Sequence, residues 1–192
     1  MTATAAGVEV RLALRGALRL ARGDRRGLAC FDPSLEGFWR SFRAAFIGYP
    51  FYMALLLMRV SDAEWDRSGL FRILAVETIA YVINWAAFPL IILPFCRWLD
   101  RERRFFGFMT VYNWCQLPEM ALFVLIGFEA ESGLLPPGTT QAIQIVAAAA
   151  VLIYEWYIAR VALETTATAA TAIVLANLVL GVAISQIADG LY

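Results

Sequence analysis

Residues 168–188, TAATAIVLANLVLGVAISQIA, form an apolar run without a single charged side chain. A helix rises about 1.5 Å per residue, so about 20 apolar residues cross the ~30 Å hydrocarbon core of a bilayer. Four earlier segments have a similar length and apolar character. The sequence therefore predicts an all-α polytopic membrane protein, a bundle of five transmembrane helices, at about 39–59, 71–95, 107–128, 139–160 and 168–188.

The composition agrees with a chain that lies mostly in lipid. Hydrophobic residues make up 61% of the 192 residues, whereas a soluble domain is about 45–50% apolar. All 16 basic residues are arginine, and the absence of histidine removes the commonest metal ligand and general base. Cys30, Cys96 and Cys115 have no CxxC spacing, so we expect free thiols, no metal site and no cofactor.

The distribution of arginine predicts the orientation of the chain. Eight arginines precede residue 44, and four more follow the second span at 97–104. The loop at 129–140 carries two glutamates and no basic residue. The positive-inside rule then places the N-terminus inside and the C-terminus outside, which requires an odd number of spans. Arginine-rich, lysine-free usage indicates a bacterial protein, so we expect the bacterial cytoplasmic membrane.

Residues 1–32 are predicted to form a cytoplasmic basic amphipathic leader, ahead of a transmembrane domain at 33–192. A helix here would place its arginines on one face and apolar side chains on the other. The arginines are Arg11, Arg15, Arg19 and Arg22, and the apolar residues are Val10, Leu14, Ala17, Leu18 and Ala21. We expect this helix to lie on anionic lipid of the cytoplasmic leaflet, at about 1 kcal/mol per basic residue. The alternative is a basic leader that only orients the chain.

The stretch that follows predicts the start of the first spanning helix. Asp32 fits an N-cap and Pro33 fits the first helical position. Trp39, Arg40 and Arg43 then supply aromatic and basic anchors at the membrane interface. The alternative interpretation is a docking motif for a cytoplasmic partner.

The last four spans carry polar side chains at helical spacing. Inserting a charged group at bilayer depth costs about 2.5–3.5 kcal/mol on insertion scales, so each such side chain is expected to have a structural or functional role. In every span these residues share one face, which should turn inward. They are Glu77 and Asn84, then Tyr112, Gln116 and Glu119, then Gln144 and Glu155, and finally Asn177, Gly181 and Ser185.

These faces have two interpretations. Either their side chains form interhelical hydrogen bonds, worth about 0.6 kcal/mol each, or Glu119 together with Glu77 forms a proton or cation site. Arg72 is the expected neighbour of Glu77, and Arg160 that of Glu155.

Pro118 lies beside Glu119 in the stretch YNWCQLPEMAL. Proline cannot donate to the carbonyl four residues earlier, so we expect a helix kink with that carbonyl bonded by polar neighbours. Together with five spans and a basic leader, the stretch resembles the third span of the Yip1-domain membrane proteins. Tyr112 and Pro118 take the places of their aromatic residue and proline. The resemblance covers about residues 35–188, but the acidic leader motif of eukaryotic members is missing.

The resemblance implies a non-enzymatic integral membrane scaffold or accessory subunit that organises protein or lipid partners. The expected partners are anionic lipids and either a membrane protein or a second copy of the chain, with no nucleic acid. The alternative is a small proton- or cation-coupled carrier or channel that uses Glu119 and Glu77. An intramembrane protease is disfavoured because the predicted spans contain neither histidine nor aspartate.

Overall fold

The computed structural model describes residues 3–192, with side chains from Gly7 onward. All regular elements in this part are helical, as the sequence predicts. The α-helices are α1 Ala3–Ala21, α2 Leu35–Ser41, α3 Arg43–Arg59, α4 Asp62–Ser68, α5 Leu70–Trp98, α6 Phe105–Ser132, α7 Pro137–Ala162 and α8 Ala167–Asp189. Short 3₁₀ helices lie at Arg25–Cys30 and Glu102–Arg104.

Four helical segments are long and apolar enough to cross a membrane, as expected of an integral membrane protein. They are Leu35–Arg59, which joins α2 and α3, and helices α5, α7 and α8. Helix α6 has 28 residues and contains the predicted span at 107–128, but it is not among the four. Asn113, Gln116 and Glu119 lie in its middle and lower its hydropathy.

Helix α6 lies at the centre of the bundle. It packs against α1, α2, α3 and α7. Most of its buried side chains belong to the main core, including Phe108, Met109, Trp114 and Leu117. The helix continues through Pro118. Its polar side chains are therefore surrounded largely by protein, whereas α5 and α8 form one side of the bundle and pack along each other.

Aromatic side chains fill much of the space between α3 and α5. The Tyr81 ring lies 4.7 Å from the Tyr52 ring and 5.5 Å from the Tyr49 ring, measured between centroids. The Tyr81 hydroxyl also donates to the Ala45 carbonyl at 2.7 Å. Bulky rings hold these helices apart, and the space beside Tyr52 and Tyr81 forms one of the cavities described below.

The helix that leads into the first span begins at Leu35 rather than at the predicted Pro33. Ser34 is the N-cap, because its hydroxyl accepts the Gly37 N–H at 3.0 Å. Asp32 instead accepts the Ser34 N–H at 2.9 Å, which closes the turn before the helix. Pro33 therefore lies outside α2, and the prediction of Asp32 as N-cap is wrong. The helical segment is also interrupted at Phe42, between α2 and α3.

Helix α1 is docked against the bundle. Ala13, Ala17 and Leu20 are buried in the main core. The Tyr154 hydroxyl of α7 donates to the Ala17 carbonyl at 2.8 Å. Residues Ala3–Ala21 are helical, but Ala17 contacts protein on the face that the sequence assigns to lipid. The physical reason is that α6 and α7 supply both apolar surface and a hydroxyl donor to this face.

The segment after α1 folds back onto it. Gly16 permits the contact, since a Cβ atom there would lie 2.7 Å from the Cβ of Cys30 and from the Phe31 ring. Arg19 binds Asp24 at 2.8 Å across the turn. The Arg26 N–H and then the Arg19 guanidinium stabilise the ionised carboxyl, which holds the pKa of Asp24 below its ordinary value. Helix α1 and the 3₁₀ helix thus form one docked leader.

Candidate functional site

The first polar site, the Glu77 cluster, comprises Tyr52, Arg59, Glu77, Asp189 and Tyr192. The Glu77 side chain is only 2% exposed, and Arg59 Nη2 lies 2.5 Å from its Oε1. The Tyr52 hydroxyl donates to Oε2 at 2.5 Å, and the Tyr192 hydroxyl donates to Oε1 at 2.8 Å. Arg59 also binds Asp189 at 2.7 Å. The buried carboxylate therefore has a counter-ion and two hydroxyl donors.

Arg59 replaces the neighbour that the sequence predicts for Glu77. Arg72 donates instead to the carbonyl of Leu191 at 2.5 Å. Arg59 is the last residue of the apolar helix α3, and its long side chain reaches the buried carboxylate on α5. A single arginine that ends an apolar span was the sequence signal for this pair.

The second polar site, the Glu155 cluster, comprises Tyr112, Glu119, Glu155 and Asn177. Glu155 is 7% exposed. Its Oε1 accepts the Tyr112 hydroxyl at 3.2 Å and the Asn177 amide at 3.0 Å. The predicted neighbour Arg160 is not among its hydrogen-bond or ion-pair partners. These bonds join α6, α7 and α8, so residues of three of the four predicted polar faces meet, whereas Gln144 of the predicted α7 face is exposed.

Glu119 is the unusual member of the Glu155 cluster. It is 8% exposed and interacts electrostatically with Glu155. In the described part of the chain, no hydrogen bond reaches the Glu119 carboxyl and no arginine pairs with either glutamate. Two neighbouring carboxylates in a medium of low dielectric constant repel each other. A proton or a cation between them would relieve that repulsion.

Two cavities lie between the clusters and share Asn84. The buried Oδ1 atom of Asn84 has no hydrogen-bond partner. A cavity of about 10 Å³ next to it is also lined by Tyr112, Gln116 and Asn177, and has room for about one water molecule. A cavity of about 300 Å³ on the other side of Asn84 is also lined by Arg59. Polar groups thus follow one another from the Glu77 cluster to the Glu155 cluster.

The predicted arginine face of α1 is largely free. Arg11, Arg15 and Arg22 have exposed side chains, whereas Arg19 is partly buried and bound to Asp24. Exposed apolar side chains flank these three exposed arginines: Val8, Leu12 and Leu18. We call the arginines and these flanking side chains the leader face.

The predicted interface anchors have two different environments. Trp39 is exposed, but Arg40 and Arg43 both bind Glu9 of α1, at 3.2 Å and 2.8 Å. Arg40 also pairs with Asp32. The Ser34 N–H, with Arg40 nearby, stabilises the ionised carboxyl and holds the pKa of Asp32 below its ordinary value. The two arginines therefore fasten the leader to the first span.

No family model matches the chain, and no curated protein or solved structure matches it. The similarity to Yip1-domain proteins therefore stays a prediction. Function has to be inferred from the docked leader, the two clusters and the cavities.

Proposed function

We propose that the chain is a non-enzymatic scaffold or accessory subunit of the bacterial cytoplasmic membrane, similar to the Yip1-domain proteins. In this function it organises protein or lipid partners at the cytoplasmic face. The observation that carries the proposal is the docked leader. Because the leader is fixed to α6, α7 and the first span, Arg11, Arg15 and Arg22 have a fixed position relative to the bundle.

In this proposal α6 also spans the membrane, which brings the number of spans to five. Its length suffices at about 1.5 Å per residue, and its polar side chains face neighbouring helices rather than lipid, which lowers their cost. The C-terminal end of α8 then lies on the same side of the membrane as that of α3, in agreement with the Arg59–Asp189 pair. The N-terminus would be inside and the C-terminus outside.

The buried polar groups support a structural role for the bundle. Glu77 is held by Arg59, Tyr52 and Tyr192, and Glu155 is bonded to two other helices. Interhelical bonds of this kind hold apolar helices in one arrangement inside lipid, where the hydrophobic effect contributes little. A rigid bundle that presents a charged face is suited to assembling partners.

The leader face can be tested with the triple variant Arg11→Gln, Arg15→Gln and Arg22→Gln. Each arginine contributes about 1 kcal/mol next to an anionic surface, so we expect recovery of partners to fall by about two orders of magnitude. The measurement is affinity purification in mild detergent, with quantitative mass spectrometry of proteins and lipids.

Two controls sharpen this experiment. Arg67→Gln removes an exposed arginine from α4, outside the leader, and should leave recovery unchanged. Glu155→Gln should also retain the partners, since the scaffold does not require a titrating carboxyl. Equal recovery with the wild-type chain and the triple variant would contradict the proposal.

A second candidate is a small proton- or cation-coupled carrier or channel. It is favoured by the Glu119 carboxyl, which is buried beside Glu155 without a hydrogen bond or an arginine. The titratable groups around it are Tyr112 and Cys115 of α6, with Tyr154 and Glu155 of α7. The cavities at Asn84 link this site to the side chains around Glu77.

Flux through liposomes tests the second candidate. If Glu119 carries the proton or cation, Glu119→Gln should reduce flux driven by a pH gradient by about a hundredfold or more, the range expected for a lost proton-transfer group. Glu131→Gln changes an exposed glutamate and should leave flux unchanged. The measurement uses a pH-sensitive dye inside vesicles. Absent flux in the wild-type protein, or equal flux in Glu119→Gln, would exclude this function.

A further inference from the structure

A third cavity lies at the end of the bundle where the leader meets α6 and α7. Its volume is about 470 Å³, within the range of about 300–1,000 Å³ that is typical of ligand sites. The cavity is lined by the leader, the turn before α2, the 3₁₀ helix before α6, and helices α6 and α7: Leu28, Phe31, Pro33, Arg103, Arg104, Gly107, Val111 and Ala162. The site is separate from the two polar clusters and from the leader face.

The charges in this cavity favour an anion. Arg103 and Arg104 are its only charged lining residues. Arg104 binds Glu164 at 2.6 Å, while Glu102, the acid next to them, binds Arg97 at 3.0 Å. Within residues 3–192 no acidic side chain pairs with Arg103. One guanidinium group is thus left to bind a phosphate, for which its planar array of donors is well suited.

The rest of the lining favours an amphiphile over a small soluble anion. Leu28, Phe31 and Val111 form an apolar wall, which a free phosphate would leave unused. Val111 lies six residues inside α6, about 9 Å from its first residue at about 1.5 Å per residue. The arginines precede that first residue. Charged groups therefore lie at the end of the helix and apolar surface lies deeper in the bundle, in the same order as the headgroup and the acyl chains of a phospholipid.

We propose that this cavity binds an anionic phospholipid, with its phosphate at Arg103 and Arg104 and its apolar part along Leu28, Phe31 and Val111. The proposal rests on the membrane orientation in the proposed function, but it does not require the scaffold activity. Because the leader supplies Leu28 and Phe31, bound lipid also contacts the docked leader.

The test is native mass spectrometry of the full chain in mild detergent, titrated with phosphatidylglycerol or phosphatidylcholine. We expect one phosphatidylglycerol to bind the wild-type chain at least about tenfold more tightly than phosphatidylcholine does. Arg103→Gln should remove that preference, since it removes the unpaired charge. Val111→Phe should weaken the binding of both lipids, because the larger side chain fills part of the apolar cavity. Arg67→Gln, on α4 and outside the cavity, should bind as the wild type does.

Several results would overturn the lipid site. They are equal binding of the two lipids to the wild-type chain, unchanged preference in Arg103→Gln, or displacement of phosphatidylglycerol by millimolar inorganic phosphate, which would indicate a soluble-anion site. If Val111→Phe does not fold, Arg103→Gln still decides, because its exposed side chain contributes little to the core. The leader-face triple variant should keep this lipid, so failure of the scaffold proposal is distinguishable.

Discussion

Replacing Arg59 by methionine is expected to lower the free energy of unfolding by about 2–3 kcal/mol. The change leaves the Glu77 carboxylate buried without a counter-ion, which costs about 3–5 kcal/mol for a fully buried pair. We expect less here because the Arg59 side chain is 42% exposed and Tyr52 and Tyr192 still donate to the carboxylate. Methionine keeps the length of the apolar stem, so the main change is the lost charge.

A double-mutant cycle separates this pair from its surroundings. Glu77→Gln alone retains an oxygen that accepts from Tyr52 or Tyr192, and leaves Arg59 its pair with Asp189. The double variant Arg59→Met with Glu77→Gln should be more stable than Arg59→Met, because no buried charge remains unpaired. Unfolding in mixed detergent, followed by circular dichroism, provides the free energies. Additive effects of the two single changes would show that the pair is not coupled.

Replacing Trp114 by alanine should destabilise the bundle by about 3–5 kcal/mol, the usual cost of a large aromatic residue lost from a core. Trp114 is 1% exposed and lies in the main core on the central helix α6. Lipid is as apolar as this core, so the loss comes chiefly from packing contacts that no neighbour can restore.

Trp98 provides the matched control for Trp114. It is the last residue of α5 and is 78% exposed, so Trp98→Ala should change the free energy of unfolding by less than about 0.5 kcal/mol. Both variants remove one tryptophan, and circular dichroism in the same detergent avoids the change in fluorescence. Similar losses of stability in the two variants would refute the central position of α6.

The sequence predicts the apolar helices well because length and hydropathy determine them. The predicted span at 168–188 agrees with α8, Ala167–Asp189, and the span at 139–160 agrees with α7, Pro137–Ala162. Helix α6 contains the predicted span at 107–128 but is not among the four segments that are long and apolar enough to cross a membrane. Its polar side chains lower its hydropathy, but neighbouring helices cover them, so hydropathy alone does not indicate whether this helix crosses a membrane.

Side-chain partners were less predictable because they depend on how helices rotate about each other. Spacing placed Glu155 and Asn177 on inward faces, but no local pattern shows that one binds the other. Asn113 was outside every predicted stripe, yet its amide donates to the Ser41 hydroxyl at 2.8 Å. The docked leader was also missed, because an amphipathic pattern shows that a face is apolar and does not show what covers it.

The docked leader has a consequence for the biosynthesis of the protein. Chains are made from the N-terminus, and Tyr154, the hydrogen-bond donor to Ala17, is added 137 residues later. Until α6 and α7 have been translated, only the segment that follows α1 can cover part of its apolar face. During that interval we expect the nascent helix to bind the membrane surface, as its sequence predicts, and to dock onto the bundle only once α6 and α7 are in place.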